Sequence, residues 1–167
     1  MNFSLREWKK TDAESIAYNA NNIKISQMLR NVFPNPYTKA DAEFFINLCL
    51  NADKLKELCL AIDVEGKAVG SIGISVQDDV CCKSAELGYW IGEDYWNKGI
   101  MTEAVKQICK TAFEKFDIVR IFAEPFSHNI GSKRVLEKSG FKLEGIKKKS
   151  IFKNGQIYDS CMYALTK

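Results

Sequence analysis

The 167-residue sequence contains one histidine, three prolines and six cysteines, none of them spaced as a C-x-x-C pair. Histidines and closely paired cysteines are the usual zinc ligands, so no metal site is expected. No apolar run approaches ~18 residues, and the first ten residues hold no apolar stretch typical of a signal peptide. Several cysteines lie in apolar runs, where a reduced thiol acts as a small hydrophobe. We therefore expect a cytoplasmic protein with reduced cysteines and no membrane partner.

Two common nucleotide-binding motifs are also missing. The chain contains neither G-x-x-x-x-G-K-[ST] nor G-x-G-x-x-G, which argues against a kinase-like or reductase-like nucleotide enzyme. The net charge is only +3 and no dense basic block occurs, so nucleic acid is not an expected partner. A hydrophobic fraction of 46% and a charged fraction of 27% are typical of a globular domain. At this length we expect a single domain over residues 1–167, as a monomer or a homodimer.

Hydrophobic periodicity and turn residues predict the element order β-α-α-β-β-β-α-β-α-β-β, a mixed sheet of the α/β class. A short helix and an irregular loop are expected between residues 21 and 35, and a strand buried on both faces at 118–123. Helices are expected to be capped by Thr11-Asp12, Thr38 and Asn129. The strand predictions comprise residues 3–8, 58–62, 69–74, 84–91, 118–123, 141–152 and 157–165. The last two form a hairpin across Asn154-Gly155.

The stretch from Tyr95 to Ala104 is typical of a tight loop that turns directly into a helix. A strand-like run, 86–91, precedes it, and apolar residues at helical spacing follow: Val105, Ile108, Ala112, Phe113 and Phe116. The N–H groups of a first helical turn lack partners, and the helix dipole favours negative charge there. Lys98 adds positive charge and Gly99 lets the backbone approach a ligand. The stretch therefore predicts a phosphate or pyrophosphate site, the alternative being an ordinary strand-to-helix turn.

This loop resembles the acyl-CoA-binding loop of the GNAT superfamily of N-acetyltransferases. The pattern Trp-x-x-Gly-x-x-Thr-Glu-Ala, here from Trp96 to Ala104, is similar to the variant of the branch that contains the ribosomal-protein N-terminal acetyltransferases. Met101 departs from that branch, which usually has alanine or glycine. A second segment, residues 129–141, resembles the branch's downstream signature about thirty residues beyond the loop. Ala123-Glu124-Pro125 and residues 158–163 also look like the branch, so the resemblance extends over essentially the whole chain.

The resemblance implies the GNAT fold, a mostly antiparallel, twisted sheet of about seven strands flanked by helices, with acetyl-CoA as the cofactor and CoA as its product. It implies that the pantetheine arm lies along the third strand of the antiparallel series and that the pyrophosphate lies on the loop. It also implies that Asn129 hydrogen-bonds the pantetheine, beside its plain reading as a helix cap. The cofactor-binding residues implied are Tyr89, Trp90, Ile91, Asn97, Lys98, Gly99, Ile100, Met101, Thr102 and Asn129. The early helices, in the first 50 residues, are expected to cover the acceptor cleft.

Two residues are candidates for catalysis. Glu86 opens the central strand and is expected to take a proton from the ammonium acceptor, directly or through water, unless it is simply a surface carboxylate. In many family members a tyrosine seven residues after the asparagine protonates the thiolate, but Leu136 occupies that position here. Ser132 is the substitute that the resemblance suggests, the alternative being a capping serine.

Weaker candidates lie elsewhere in the chain. His128 precedes Asn129 and is tempting as a base, although a loop histidine is more often structural. Tyr158 and Asp159 are candidates for closing the acceptor site. Cys81 and Cys82 invite a covalent intermediate, but no base lies beside them in the sequence, so surface or packing roles are favoured.

The sequence therefore predicts an acetyl-CoA-dependent N-acetyltransferase that transfers acetyl directly to a primary amine through a ternary complex. The acceptor would be a protein N-terminus or a small-molecule amine. The alternative is a non-catalytic acyl-CoA-binding module of the same fold, for which Met101 and the missing tyrosine leave room.

Overall fold

The predicted strands pair into one seven-stranded sheet in the computed structural model, which describes residues 2–167. The strands are β1 (Ser4–Arg6), β2 (Glu57–Val64), β3 (Lys67–Val76), β4 (Ser84–Ile91), β5 (Arg120–Ala123), β6 (Lys142–Lys153) and β7 (Gln156–Thr166). The helices are α1 (Ala13–Ala20), α2 (Ile23–Ser26), α3 (Lys39–Leu50), α4 (Ile100–Lys115) and α5 (Ile130–Lys138). The elements follow the predicted order, except that the short helix expected between residues 21 and 35 is a separate element, α2, so three helices lie between β1 and β2 where the predicted order has two.

The strand order across the sheet is β1-β2-β3-β4-β5-β7-β6. The pair β4–β5 is parallel, whereas the other neighbouring pairs are antiparallel. The sheet is therefore mixed and mostly antiparallel, and the predicted fold class is confirmed. Because β7 lies between β5 and β6, the final hairpin adds to the sheet through its second strand.

Different helices cover the two faces of this sheet. On one face, α4 and α5 bury a core with strand residues such as Ile72, Leu87 and Ile121. On the other face, α1 and α3 pack with Trp8, Ala61 and Ala68 in a separate, smaller cluster. Since strand side chains alternate between faces, neighbouring residues of β4 contribute to different clusters.

Local sequence signals explain where the helices begin and end. The Thr38 hydroxyl accepts a hydrogen bond from the Asp41 N–H at 3.2 Å, and the Asp41 carboxylate accepts one from the Thr38 N–H at 2.7 Å, which forms a capping box for α3. Asp12 precedes α1 as predicted, but its carboxylate binds Arg6 and the Lys9 N–H and makes no cap bond to α1. After α5, Gly140 adopts a φ of +92°, the left-handed conformation that ends a helix.

Besides the cap at Asp12, two other expectations from the sequence are wrong. Cys49 at the end of α3 and Cys59 on β2 form a disulfide, with Cα atoms 5.4 Å apart, so these two cysteines are not reduced. Their ten-residue separation gives no sign of this pairing, because it depends on how α3 packs on β2. The strand at 118–123 is not buried on both faces either: β5 starts only at Arg120, and Val119 is 54% exposed.

No helix in the part of the chain that the structure describes is long and apolar enough to cross a membrane. Among the same residues, no group of three or more histidine, cysteine, aspartate or glutamate side chains is arranged to hold a metal ion.

Candidate active site

The sheet opens between β4 and β5. These parallel strands pair only over Ser84–Glu86 and Arg120–Phe122, with Glu86 opposite Phe122. Beyond that point β4 continues to Ile91 along β3, while the chain after β5 leads to α5. The edge of β4 from Leu87 to Ile91 therefore faces an opening, which we call the cleft.

The backbone of β4 presents specific groups to the cleft. Gly92 donates its N–H to the Val69 carbonyl at 2.9 Å, and Ser84 accepts from the Gln77 N–H at 2.9 Å, so the even-numbered residues turn their main chain towards β3. By alternation, the odd-numbered residues turn their main chain away from β3. The Glu86–Phe122 pairing uses the Leu87 N–H and the Ile91 carbonyl accepts from Trp96, so the Leu87 carbonyl, both groups of Tyr89 and the Ile91 N–H face the cleft. A linear ligand can pair with them as an added strand does. Leu87 was missed from sequence, although the same alternation identifies it.

Side chains of β4 alternate in the perpendicular direction. Tyr89 packs against the core beneath α4 and α5, whereas Trp90 packs against the cluster beneath α1 and α3. The main chain of Trp90 therefore pairs with β3, and its ring lies on the face of the sheet opposite α5. Gly88 lies on the same face as Trp90 and is exposed, and a Cβ added there would meet no atom within 4 Å. Side chains on the two faces of β4 therefore lie in two different compartments of the cleft.

The loop before α4 carries a set of free amides. Within the described residues, none of the six N–H groups of residues 97–102 donates a hydrogen bond to a protein acceptor. Asn97 and Gly99 have positive φ values of +59° and +76°, which turn the backbone sharply into the helix. Such a run of amides at the start of a 16-residue helix is suited to an anion.

Side chains around this loop leave the amides accessible. Lys98 is exposed, with its Nζ 5.5 Å from the centre of the Tyr95 ring. Ile100 and Met101 are 2% and 8% exposed and point into the core, so the methionine does not stand between the amides and a ligand. The carbonyl of Thr102 accepts from the Ser139 hydroxyl at 3.3 Å, which ties α4 to α5. Trp96 donates its Nε1–H to the Ile91 carbonyl at 2.9 Å and ties the loop to β4.

The start of α5 meets β4 on the α4 side of the cleft. Asn129 caps the helix by accepting from the Ser132 N–H through Oδ1 at 3.1 Å. The Tyr89 and Ser132 hydroxyl oxygens are 2.8 Å apart, and Tyr89 Oη is 3.3 Å from the Ser132 carbonyl. Burial raises the pKa of the Tyr89 phenol well above its usual value, so that it stays protonated. Leu136, at the position of the missing tyrosine, is fully buried in the core.

Glu86 lies on the opposite face, in contact with a segment that sequence reasoning could not place. The Arg30 guanidinium, from the loop between α2 and α3, forms an ion pair with its carboxylate. Glu124, just after β5, lies nearby and accepts from Ser160 Oγ at 2.6 Å and from Lys147 Nζ at 2.8 Å. Burial raises the pKa of Glu124, but the bonds from Lys147 and Ser160 and the charge of Arg30 outweigh it and hold that pKa below its usual range. Each of these two carboxylates is thus paired with a cation, Glu86 with Arg30 and Glu124 with Lys147.

Aromatic side chains fix the loop that carries Arg30. Phe33 packs edge-on against Trp90, with ring centres 5.6 Å apart, and lies 4.9 Å from the Tyr37 ring. Residues 27–38 thereby lie against the face of β4 that carries Glu86 and Trp90. We call the compartment between this segment and β4 the acceptor side of the cleft. No periodicity in the sequence could have identified Arg30, whereas Glu124 belonged to a matched motif without an assigned role.

The weaker candidates have structural partners. His128 stacks on Tyr158 with ring centres 4.4 Å apart, and the Tyr158 hydroxyl donates to Gln156 at 2.6 Å. Asp159 accepts from the Lys149 N–H at 2.8 Å and from Lys148 Nζ at 2.9 Å, and these bonds lower its pKa. Cys81 and Cys82 are exposed in the turn before β4. None of these groups faces the Tyr89–Ser132 pair or the Glu86–Arg30 pair through a hydrogen bond in the described residues.

Comparison with known proteins agrees with this geometry. The model of the family "Acetyltransferase (GNAT) domain" matches residues 2–142. The chain is 35% identical over 101 residues to the probable N-acetyltransferase YjcK of Bacillus subtilis (strain 168), covering 60% of this chain and 56% of that protein. It is 36% identical over 80 residues to the ribosomal protein uS5-alanine N-acetyltransferase of Escherichia coli (strain K12), covering 48% and 41%. The matched part spans about half the length of the curated relatives.

Solved structures share the whole architecture. Mycobacterium smegmatis RimJ in complex with CoA-disulfide superposes with a TM-score of 0.87 at 22% identity, covering 98% of this chain and 81% of that one. At that identity the likeness establishes the fold.

Proposed function

The chain belongs to the GNAT acetyltransferase family, and on that premise we propose that it acts as one catalytic domain that transfers acetyl from acetyl-CoA to a primary amine. The observation that supports this proposal is the cleft itself, where the main-chain edge of β4 around Tyr89, beyond its pairing with β5, leads to six free amides at residues 97–102. A ligand with a peptide-like arm and a pyrophosphate matches both features in one continuous path. The residues present thus fit acetyl-CoA, and CoA would leave as the product.

In this proposal the cofactor is held by main chain more than by side chains. The pyrophosphate would lie on the amides of residues 97–102 with Lys98 beside it, and the pantetheine along Leu87, Tyr89 and Ile91. Asn129 uses Oδ1 as the helix cap, which leaves its amide NH₂ group to donate to the pantetheine. A main-chain N–H of β4 facing the cleft would stabilise the tetrahedral oxyanion, a contribution of roughly 3 kcal/mol per good donor.

We place the acceptor amine on the side of the cleft that holds Glu86. An amine must lose its proton before attack, and Glu86, directly or through water, is the base we propose. Ser132, across the cleft, would donate a hydrogen bond to the departing sulfur. Because both substrates have separate compartments, transfer would be direct, in a ternary complex. The acceptor would be a protein N-terminus, as the name of the uS5-alanine relative suggests for that protein, or a small amine.

The first test is thermal unfolding of the chain with acetyl-CoA, CoA, ATP and NADH at one common concentration, ~100 times the dissociation constant of acetyl-CoA, at which acetyl-CoA stabilises by about 2.7 kcal/mol. We expect a rise in Tm of roughly 5–10 °C with the CoA compounds alone. Steady-state assays with peptides bearing free or blocked N-termini and with small amines then identify the acceptor. CoA binding without turnover on any amine would support a non-catalytic module, and no response to CoA would overturn the proposal.

Initial-velocity patterns separate direct transfer from a covalent intermediate. Intersecting lines and no CoA release without amine are expected for the ternary complex. Parallel lines with a burst of free CoA would point to an acetylated side chain.

A further inference from the structure

Among the residues that the structure describes, Tyr89 carries a buried hydroxyl beside the cleft that the proposed chemistry leaves without a task. The side chain comes from β4, crosses to α5 and places its oxygen 2.8 Å from Ser132 Oγ. From this geometry we propose that Tyr89 is a positioning residue that donates its hydroxyl hydrogen to Ser132 Oγ and so directs the Ser132 hydrogen towards the thioester sulfur. This inference rests on the proposed acetyl transfer and adds a residue to it.

Counting hydrogens shows why the tyrosine matters. Each hydroxyl has one hydrogen to donate and can accept others. If Ser132 donated to Tyr89, its only hydrogen would point away from the cleft. If Tyr89 donates instead, Ser132 keeps its hydrogen for the sulfur. The structure therefore offers two states of one pair, of which only one serves the reaction.

The distances give the Tyr89 hydrogen a nearer acceptor in the serine hydroxyl than in the serine carbonyl. The Oη–Oγ separation of 2.8 Å suits an O–H···O bond in either direction, whereas the 3.3 Å from Oη to the Ser132 carbonyl is long. The raised pKa of the Tyr89 phenol keeps its hydrogen in place at working pH, so the donor is always present. It also means that the tyrosine holds its proton during the reaction.

Neither hydroxyl has to give up its proton when the thiolate leaves. As the tetrahedral intermediate collapses, the C–S bond breaks and its electron pair goes to sulfur. The Ser132 O–H donates a hydrogen bond to the developing thiolate, while the Tyr89 O–H bonds Ser132 Oγ. CoA leaves as the thiolate and takes a proton from water, which a thiol with a pKa near ~8.5 permits. The pair thus lowers the barrier electrostatically, in place of the tyrosine missing at Leu136.

The test is a double-substitution cycle with Tyr89→Phe, Ser132→Ala and the combined variant. Tyr163→Phe is the matched control, because that buried hydroxyl also bonds α5, through Glu137 Oε1 at 2.8 Å, but does not face the cleft. The readouts are kcat, the KM for acetyl-CoA, the dissociation constant of CoA, and Tm.

We expect Tyr89→Phe to lower kcat about tenfold, at the lower end of what a positioned hydrogen-bonding group supplies in catalysis, with the KM for acetyl-CoA unchanged. In the Ser132→Ala background the same substitution should change kcat by less than about twofold, since there is no serine hydrogen left to direct. Tyr163→Phe should keep full kcat, while its Tm should fall by about as much as that of Tyr89→Phe.

Three outcomes overturn the inference. Equal losses in both backgrounds would mean that Tyr89 acts without Ser132, and an equal loss for Tyr163→Phe would mean that stability alone is at work. If wild-type chain binds CoA and acetylates an amine, either result removes this inference only. A wild-type chain with no acetyl transfer would remove the proposed function and this inference together.

Discussion

Arg30 and Glu86 form an ion pair across the acceptor side of the cleft. The Arg30 side chain is 71% exposed and the Glu86 side chain 29%, so the arginine can leave while the carboxylate stays in place. An acceptor's ammonium group, which carries the same charge, would take the place of the guanidinium beside the base. Binding of the acceptor amine and release of Arg30 from Glu86 would then occur in the same event.

This relationship predicts opposite effects for its two members. Glu86→Gln should lower kcat about 100-fold, the usual contribution of a positioned base, with the dissociation constant of CoA unchanged. Arg30→Ala should lower the KM for a cationic amine by no more than about fivefold, because an exposed ion pair is worth up to ~1 kcal/mol. Steady-state assays over amine concentration measure both.

Lys83→Ala is the control, since it removes another surface ion pair, the one with Asp117, away from the cleft. It should leave the KM for the amine unchanged. A higher KM in Arg30→Ala would show that the arginine binds the acceptor and does not compete with it.

Gly88 provides a way to block the acceptor side of the cleft without unfolding the protein. A Cβ at this position meets no atom within 4 Å, and the residue is exposed beside Glu86 and Trp90. Gly88→Val should therefore lower kcat/KM for the amine roughly 10- to 100-fold by misplacing the acceptor, with Tm equal or higher because valine favours strands. Gly145→Val, on open strand β6, is the matched control and should keep full activity. If Gly88→Val left the kcat/KM for the amine unchanged, the acceptor would have to bind outside this side of the cleft.

Gly99 tests the anion loop in the same comparative way. Its φ of +76° is in the left-handed region, and Gly155 in the final hairpin has the same φ and equally open surroundings. Alanine at either position should cost about 1–2 kcal/mol of stability through backbone strain. Only Gly99→Ala should also weaken CoA binding, by roughly tenfold, as the strained loop turns its amides away. Calorimetric titration with CoA checks this, and equal affinities in the two variants would contradict it.

Local signals in the sequence were sufficient for the order of the elements and for the tight loop that turns into α4. The hairpin at Asn154-Gly155, the capping box at Thr38 and the cap at Asn129 are determined by neighbouring residues, and each is found where it was predicted. The free amides at residues 97–102 follow from a strand-loop-helix order, which is also local.

Contacts between distant segments could not be predicted in this way. Arg30 and Glu86 are 56 positions apart in the sequence, and Tyr89 and Ser132 are 43 apart. The residues flanking each of them in the sequence do not indicate the partner. The same holds for Cys49 and Cys59, which meet only because α3 packs on β2. The sequence therefore identifies candidate residues of the site, while the tertiary fold decides which of them share a compartment.

The disulfide predicts sensitivity of stability to reductant. Closing a loop of about ten residues should add nearly 3 kcal/mol by restricting the unfolded chain. Reduction should lower Tm by roughly 5–10 °C for a domain of this size. Thermal unfolding with and without dithiothreitol measures the shift, and the Cys49→Ser/Cys59→Ser variant should melt at the reduced value under both conditions. A wild-type Tm that does not respond to the reductant would show that the bond is absent in solution.

A buried charge cluster predicts how stability depends on pH. Arg6 donates two hydrogen bonds of 2.8 Å to the Asp12 carboxylate and one of 2.6 Å to Asp63. Burial alone would raise the pKa of Asp12, but the bonds from Arg6 and from the Lys9 N–H outweigh it, and the net shift is downward. The pKa of Arg6 is raised, so the arginine stays charged.

A carboxylate whose folded pKa lies below its unfolded value stabilises the protein fully above that unfolded value, near ~3.9. This contribution is lost as pH falls from there through the folded pKa. Asp12→Asn should cost roughly 3 kcal/mol at pH 7, because Arg6 loses the carboxylate that accepts two of its hydrogen bonds. The stability of this variant should fall less steeply than that of the wild type below pH ~4. Urea unfolding at pH 7, 5, 4 and 3 measures both effects. Asp117→Asn, which breaks an exposed pair, should change the free energy of unfolding at pH 7 by less than about 0.5 kcal/mol. Equal costs for the two variants at pH 7 would mean that the Arg6 cluster is solvated and contributes no more than a surface ion pair.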